Sequence, residues 1–350
     1  MEEVKAPLYK NLAYEGDVIR LAQNENPYGA SPRVMDAIIK NIHSVSLYPD
    51  VVLTTLKEKL AKMNQVSPNE INISAGSVSL IDQLISRMVK ADENIVIPQV
   101  TFVAYKLCAD IHFKECRIAL MDHYHIDLDA ILKLSDAKTK LIFLSNPNNP
   151  TGTILSHQQI IDFLEKVPRE TYVILDEAYT EYVERADFPD YKQILKQYAN
   201  VIILRSFSKV FGLAGLRIGY AIAQQAVIQD LETNRIPFTI TTLSNFAALE
   251  AVDDQEHVAF SVKHNAIGRD ILLTGLRKLG YNVLPSESNF VFIYFETTQE
   301  RDALHDRLFA NKIIVRKMEA FGDARSLRIS VGKVEENAKI IECLSVPQSN

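Results

Sequence analysis

The stretch Val201-Ile-Ile-Leu-Arg-Ser-Phe-Ser-Lys209 decides the fold. Four apolar, mostly β-branched residues run without interruption, as in a strand of a parallel sheet covered on both faces. The run ends abruptly in two hydroxyls and an amine, with Arg217 eight positions further on. Ligands of open α/β sheets collect beyond the carboxyl ends of such strands, so Ser206, Ser208, Lys209 and Arg217 are expected to meet at a pocket rim. For an isolated Ser/Lys cluster, a solvated strand-to-helix loop is the more ordinary reading. Repetition argues against it. Leu141-Ile-Phe-Leu144 runs into Ser145-Asn-Pro-Asn-Asn-Pro-Thr-Gly152, and Tyr172-Val-Ile-Leu175 runs into Asp176-Glu-Ala-Tyr179.

A fourth run, Ile71-Asn-Ile-Ser74, delivers Ala75-Gly76-Ser77 directly before the helical pattern Leu80, Ile81, Leu84, Ile85, Met88. Backbone N–H groups at a helix N-terminus attract anions. The same residues also read as a plain serine N-cap after a glycine. From about Ile71 to Ala223 strands alternate with helices, the pattern of a mostly parallel sheet between helical layers. Helices are expected after Ser31-Pro32, after Leu53 and after Ser156, where the capping serine precedes Gln159. Beyond Thr241 one long helical region is expected. From Asn282 to Leu344, short strands such as Phe290-Val-Phe-Ile-Tyr294 mix with helices.

The set Asn146-Pro-Asn-Asn149-Pro-Thr-Gly, Asp176-Glu-Ala-Tyr179, Ser206-Phe-Ser-Lys209 and Gly215-Leu-Arg217-Ile-Gly219, in that order, resembles the fold-type I pyridoxal-phosphate aminotransferases. Asn24-Glu-Asn-Pro27, Leu47-Tyr-Pro-Asp50, Thr101-Phe102-Val-Ala-Tyr105, Ser288-Asn-Phe-Val291 and Leu327-Arg-Ile-Ser-Val-Gly332 are similar to the histidinol-phosphate branch of that family. Three segments depart from it: Val78-Ser79 replaces an acidic pair, Val100-Thr-Phe102 replaces Pro-Thr-Phe, and Pro237-Phe-Thr-Ile-Thr241 stands where tyrosine and asparagine are usual.

The resemblance implies an α/β fold-type I chain in two domains. A large cofactor-binding domain spans 30–260, and a small α+β domain with an amino-terminal arm is formed by 1–29 and 261–350. It implies pyridoxal 5′-phosphate as cofactor, Lys209 as its tether and proton shuttle, and Asp176 against the pyridine nitrogen, keeping that nitrogen protonated. Asn149 and Tyr179 would donate to the 3′ oxygen, although a turn role for the first and a packing role for the second compete. Phe102 resembles the aromatic stacked on the ring face, and also reads as a core phenylalanine. The amides of Gly76, Ser77 and Val78, the hydroxyls of Ser206 and Ser208, and Arg217 would hold the phosphate.

Tyr48 would reach that phosphate from the other subunit of a homodimer with composite active sites, or else serve as a turn aromatic before Pro49. Arg328 resembles the arginine that holds the substrate's anionic group. Arg316 resembles a second, or is a surface strand charge. Asn24 and Tyr9 complete the implied substrate side. The implied reaction interconverts histidinol phosphate and 2-oxoglutarate with imidazole-acetol phosphate and glutamate, in histidine biosynthesis. An aromatic amino acid aminotransferase, a phosphothreonine-type decarboxylase on the same scaffold and a non-catalytic ligand-sensing module are the alternatives.

Composition is compatible with this and excludes other classes. The 350 residues are 47% hydrophobic, enough for one large core and a smaller one. Thirty-eight basic against 44 acidic residues give a net charge of −6, and no basic cluster with interleaved aromatics appears, so neither nucleic acid nor a membrane is an expected partner. The acidic Met1-Glu-Glu-Val-Lys start lacks a signal core, so a cytoplasmic location is expected. The three cysteines, Cys108, Cys116 and Cys343, have no metal-ligand spacing and are expected as free thiols. His123-Tyr-His125 lacks a suitably spaced third ligand, so no metal site is expected. Gly212, Gly215 and Gly219 do not form a dinucleotide-binding fingerprint.

Overall fold

The computed structural model describes residues 18–346. Its main sheet has seven strands: β1 (Ile71–Ser74), β2 (Asn94–Pro98), β3 (Glu115–Ala119), β4 (Thr139–Ser145), β5 (Tyr172–Asp176), β6 (Val201–Ser206) and β7 (Gly219–Ile222). Their spatial order is β1-β7-β6-β5-β4-β2-β3. Six strands are parallel, and β7 runs antiparallel between β1 and β6. All four runs identified in the sequence are strands of this sheet. Three of them are continuous apolar runs because helices cover both faces, leaving no solvated side to demand alternation, while Ile71-Asn-Ile-Ser74 alternates with Asn72 and Ser74 also buried. The two resulting cores differ in lining: Ile142, Leu144, Val173, Leu175 and Ile203 face one, while Leu141, Phe143, Ile174, Ile202 and Leu204 face the other.

A smaller sheet comprises β8 (Asn282–Val283), β9 (Phe290–Tyr294), β10 (Arg316–Lys317) and β11 (Ser326–Ser330), ordered β8-β9-β11-β10 and antiparallel throughout. The Thr298–Ala310 and Val334–Ser345 helices pack with it around Leu304, Leu308, Ile340 and Leu344. Near the amino terminus, Ile19–Arg20 pairs in parallel with Ile313–Ile314, and Leu21 enters the same core.

Helices follow the anticipated signals. Ser31 caps Pro32–Asn41, and Thr54–Asn64 starts after Leu53. Ser156 and Gln159 close a reciprocal capping box on His157–Leu164, which satisfies two otherwise orphaned donors. Ser77–Met88 buries Leu80, Ile81, Leu84 and Ile85. The long helical region beyond Thr241 consists of two helices, Thr242–Asp253 and Gln255–Lys278. Asp254 leaves the helical region at φ −89° and ψ 66°, and its carboxylate caps the second helix at His257 N. A break of one residue leaves apolar periodicity nearly intact, so the sequence pattern does not reveal it.

Candidate active site

Strands β4 and β5 end level with each other, Ser145 standing opposite Asp176, and β6 runs two residues further to Ser206. Beyond them opens a cavity of about 540 Å³. Its wall includes Ser77, Val78, Phe102, Asn149, Asp176, Tyr179, Ser206, Ser208, Lys209, Arg217, Asn24 and Arg328. Chain positions as far apart as Asn24 and Arg328 therefore converge on one volume. Successive side chains of a strand point to opposite faces. Asp176 and Ser206 accordingly turn to the cavity, while their neighbours Glu177 and Arg205 form a buried ion pair beneath it. Burial pushes the Glu177 carboxyl up to about 7 despite Arg205, whose guanidinium also lies 4.7 Å from the Tyr191 ring.

At one end is an anion cradle. Gly76 precedes the Ser77–Met88 helix at φ 83° and ψ 165°, and no side chain caps that end. A Cβ at Gly76 would lie 2.4 Å from Nη2 of Arg217, so only glycine lets the guanidinium sit against the helix start. A Cβ at Gly219, the first residue of β7, would meet Ser77 N and the Arg205 carbonyl at 2.8 Å each. Arg217 donates to Ser208 Oγ at 3.3 Å and to the Ala214 carbonyl at 2.9 Å, and Ser208 N donates to Ser206 Oγ at 3.0 Å. Helix amides, two hydroxyls and a guanidinium thus form a donor set suited to a phosphate.

At the floor, Asp176 is 3% exposed. Its Oδ2 accepts from the Tyr105 phenol at 2.8 Å, while its buried Oδ1 has no hydrogen-bond partner among the described residues. Burial raises its pKa to about 6, opposed by the Tyr105 hydrogen bond, the Ala178 amide and the Lys209 charge. A desolvated carboxylate oxygen without a donor is the chemistry expected of a site for a protonated ring nitrogen, and the phosphate cradle lies in the same cavity. On both observations the residues present fit pyridoxal 5′-phosphate.

Lys209, partly buried, donates to the Gln23 carbonyl at 3.1 Å and sits 5.6 Å over the Tyr179 ring. Burial lowers its pKa to about 7, helped by the Arg328 and Arg217 charges and opposed by Glu25 and Asp176. A substantial share of its amine is therefore neutral near neutral pH, as a nucleophile and proton acceptor requires. Tyr179 OH accepts from Asn149 Nδ2 at 3.2 Å and from Asn24 Nδ2 at 3.1 Å. Asn24, 1% exposed, is further bound to Ser330 and Asn289.

Arg328 donates to the Asn149 side chain and to the Ala22 carbonyl, with its guanidinium between the rings of Phe290 at 5.4 Å and Phe321 at 5.3 Å. Arg316 does not line the cavity, but stands directly opposite Arg328 across β10 and β11, so both side chains project from one face. Tyr48 is 84% exposed, packs on Phe238 in a tilted pair at 4.8 Å and lies outside its own chain's cavity. Tyr9 lies outside the described residues.

Sequence reasoning passed over Tyr105, the Gln23 carbonyl and the Glu177–Arg205 pair. Tyr105 sits in a motif already noted, but nothing in the spacing indicates that its phenol reaches a residue 71 positions away. A backbone carbonyl carries no side-chain signal at all.

Residues 16–344 match the family model described as aminotransferase class I and II. The chain is 39% identical to the histidinol-phosphate aminotransferase of Halalkalibacterium halodurans, covering 99% of this chain and 92% of that protein. It is likewise 39% identical to that of Bacillus subtilis, over 94% and 91%. Among solved structures, the histidinol-phosphate aminotransferase of Sinorhizobium meliloti in complex with pyridoxal-5′-phosphate superposes with a TM-score of 0.86 at 27% identity, covering 94% of this chain and 92% of that one.

Proposed function

This chain belongs to the class I and II aminotransferase family, and we propose that it moves the amino group of histidinol phosphate to 2-oxoglutarate in a ping-pong cycle serving histidine biosynthesis. The observation that carries the reading is one cavity holding Lys209, the donor-free Oδ1 of Asp176, the Gly76–Arg217 cradle and Arg328 together. When bound there, pyridoxal phosphate supplies an aldehyde for the amine and a cationic ring that draws off charge as the Cα–H bond breaks.

The chain's own residues do the rest. Asp176 would hold a positive charge on the ring nitrogen, and Arg217, Ser206, Ser208 and the helix amides would anchor the phosphate. Phe102, Asn149 and Tyr179, which line the same cavity, would hold the ring, the last two as hydrogen-bond donors. Lys209 accepts and returns a proton at the reacting carbon. Arg328 binds the substrate anion. Two guanidinium groups facing each other across neighbouring strands suit a doubly charged phosphate. This favours a phosphorylated amine, with Arg316 as the second cation and Asn24 bracing Tyr179.

Two further elements belong to the proposal. The chain divides into a large domain over 30–260 and a small one over the remainder, although residue 260 falls inside the Gln255–Lys278 helix. It acts as a cytoplasmic homodimer. Exposed Ile39, Ile42, Val45, Leu47, Tyr48 and Ile236 support the dimer, since the tilted Tyr48–Phe238 ring pair joins the two segments that carry them. Tyr48 would then serve the opposite site. The free cysteines suit a reducing compartment. No helix of the described residues is long and apolar enough to cross a membrane.

The test is glutamate formation from 2-oxoglutarate with histidinol phosphate, against phenylalanine and tyrosine as donors. Faster turnover of the aromatic amino acids moves the assignment to an aromatic aminotransferase. Carbon dioxide release from phosphothreonine without transamination moves it to a decarboxylase. Failure to bind cofactor at all would favour a sensing module.

A further inference from the structure

We propose that Tyr105 is a positioning residue whose phenol locks the orientation of Asp176, holds that carboxylate ionised and leaves Oδ1 as the oxygen presented to the cofactor's ring nitrogen. The inference rests on reading the cavity as a pyridoxal-phosphate site.

Tyr105 lies in the Ala104–Ile111 helix and is fully buried. Its ring is stacked on Phe143 at 4.7 Å and 21°, and meets Phe102 edge-on at 5.6 Å and 89°. A ring clamped on two sides cannot swing, so its hydroxyl is fixed 2.8 Å from Oδ2. A phenol has one proton to give. Burial and the Asp176 charge hold its pKa well above the usual value, so it keeps that proton and remains a donor throughout the working range.

The consequence for Asp176 is asymmetry. A donor on the charged form favours ionisation, against the desolvation that would otherwise protonate this carboxyl. With Oδ2 occupied, rotation of the carboxylate would break a charge-assisted bond in a dry environment, leaving Oδ1 as the free acceptor. Four titratable groups act here: Tyr105 from its helix, Lys209 from beyond β6, and Glu177 and Tyr179 on the segment that follows Asp176. Of these, the Tyr105 phenol hydrogen-bonds the carboxylate directly.

Tyr105→Phe removes one oxygen and keeps the ring. In cofactor-free protein, ¹³C-labelled aspartate NMR should find the Asp176 carboxyl titrating about one pH unit higher than in the wild type. Pyridoxal-phosphate affinity should fall about tenfold, and the acidic limb of the kcat profile should move up by about the same unit. KM for the amine donor should stay within about twofold, since Tyr105 is not part of the Arg328 subsite. A purely packing role would lower thermal stability while leaving the Asp176 titration, the cofactor affinity and the acidic limb unmoved, and that result overturns the proposal. Substitution by 3-fluorotyrosine, a more acidic phenol of nearly the same size, supplies an independent arm. It should shift the limb downward, and a stationary limb would likewise overturn the proposal. Wild-type protein that binds no pyridoxal phosphate defeats the cavity assignment and this inference together, whereas normal wild-type binding with unshifted variants defeats this inference alone.

Discussion

Gly76→Ala separates two physical effects that meet at one atom. At φ 83° and ψ 165° the backbone occupies a region that residues with a Cβ almost never adopt, which costs about 1 to 3 kcal/mol in folding stability. The added methyl would also lie 2.4 Å from Arg217 Nη2 and 3.1 Å from its Cζ, so the guanidinium must retreat by about 1 Å to reach ordinary contact. It has little slack, being tied to Ala214 and Ser208 on a residue itself at φ 49°. A retreat of that size breaks one charge-assisted hydrogen bond to the phosphate, worth about 1.5 to 3 kcal/mol, or roughly 10- to 150-fold in cofactor affinity. Denaturant unfolding of the cofactor-free protein reads the backbone effect. Equilibrium dialysis with pyridoxal phosphate reads the anion effect. Because the methyl acts through Arg217, Gly76→Ala should weaken binding much less in an Arg217→Ala background. Full additivity, or unchanged affinity beside a lost stability, would refute the cradle geometry.

Asp176→Asn should stabilise cofactor-free protein while crippling cofactor binding. The carboxyl rises from 3.8 unfolded to about 6 folded, so the native state holds its proton more tightly and loses stability as pH climbs through that window. At pH 8 the loss is at most about 3 kcal/mol, and calorimetry of the two proteins at pH 4 and pH 8 should show the gap only at the higher value. Lys209 should react with an amine-directed reagent with a midpoint near pH 7, and Arg328→Met should move that midpoint upward by removing a neighbouring cation. A midpoint that ignores Arg328 contradicts the electrostatic account. The double variant Val45→Asp, Leu47→Asp, altering two residues 65% and 69% exposed, should give a monomer in light scattering with an unchanged fold by circular dichroism.

The sheet was legible because physics writes parallel strands in a simple form: uninterrupted apolar runs that stop where the ligand begins. Ser145, Asp176 and Ser206 each end such a run, and each faces the cavity. What resisted reading depends on contacts distant in sequence. Asn24 bonds to Ser330 across 306 positions, and its positive φ has no signature in the neighbouring residues. Strand β7 is four residues long and antiparallel among parallel neighbours, a direction that composition cannot encode. The two-residue strand holding Arg316 is too short for periodicity, and its meaning comes only from the register with Arg328.

Residues 22–26 touch three working side chains of the cavity and the segment that carries one of them. The Ala22 carbonyl receives Arg328, the Gln23 carbonyl receives Lys209, the Asn24 amide braces Tyr179, and the Asn26 amide grips the carbonyl of Val210, one residue past the lysine. An anion drawing the guanidinium away from Ala22 would pull on the peptide next to the one that holds the amine, because a single short ribbon of main chain joins the Arg328 wall of the cavity to the Lys209 wall.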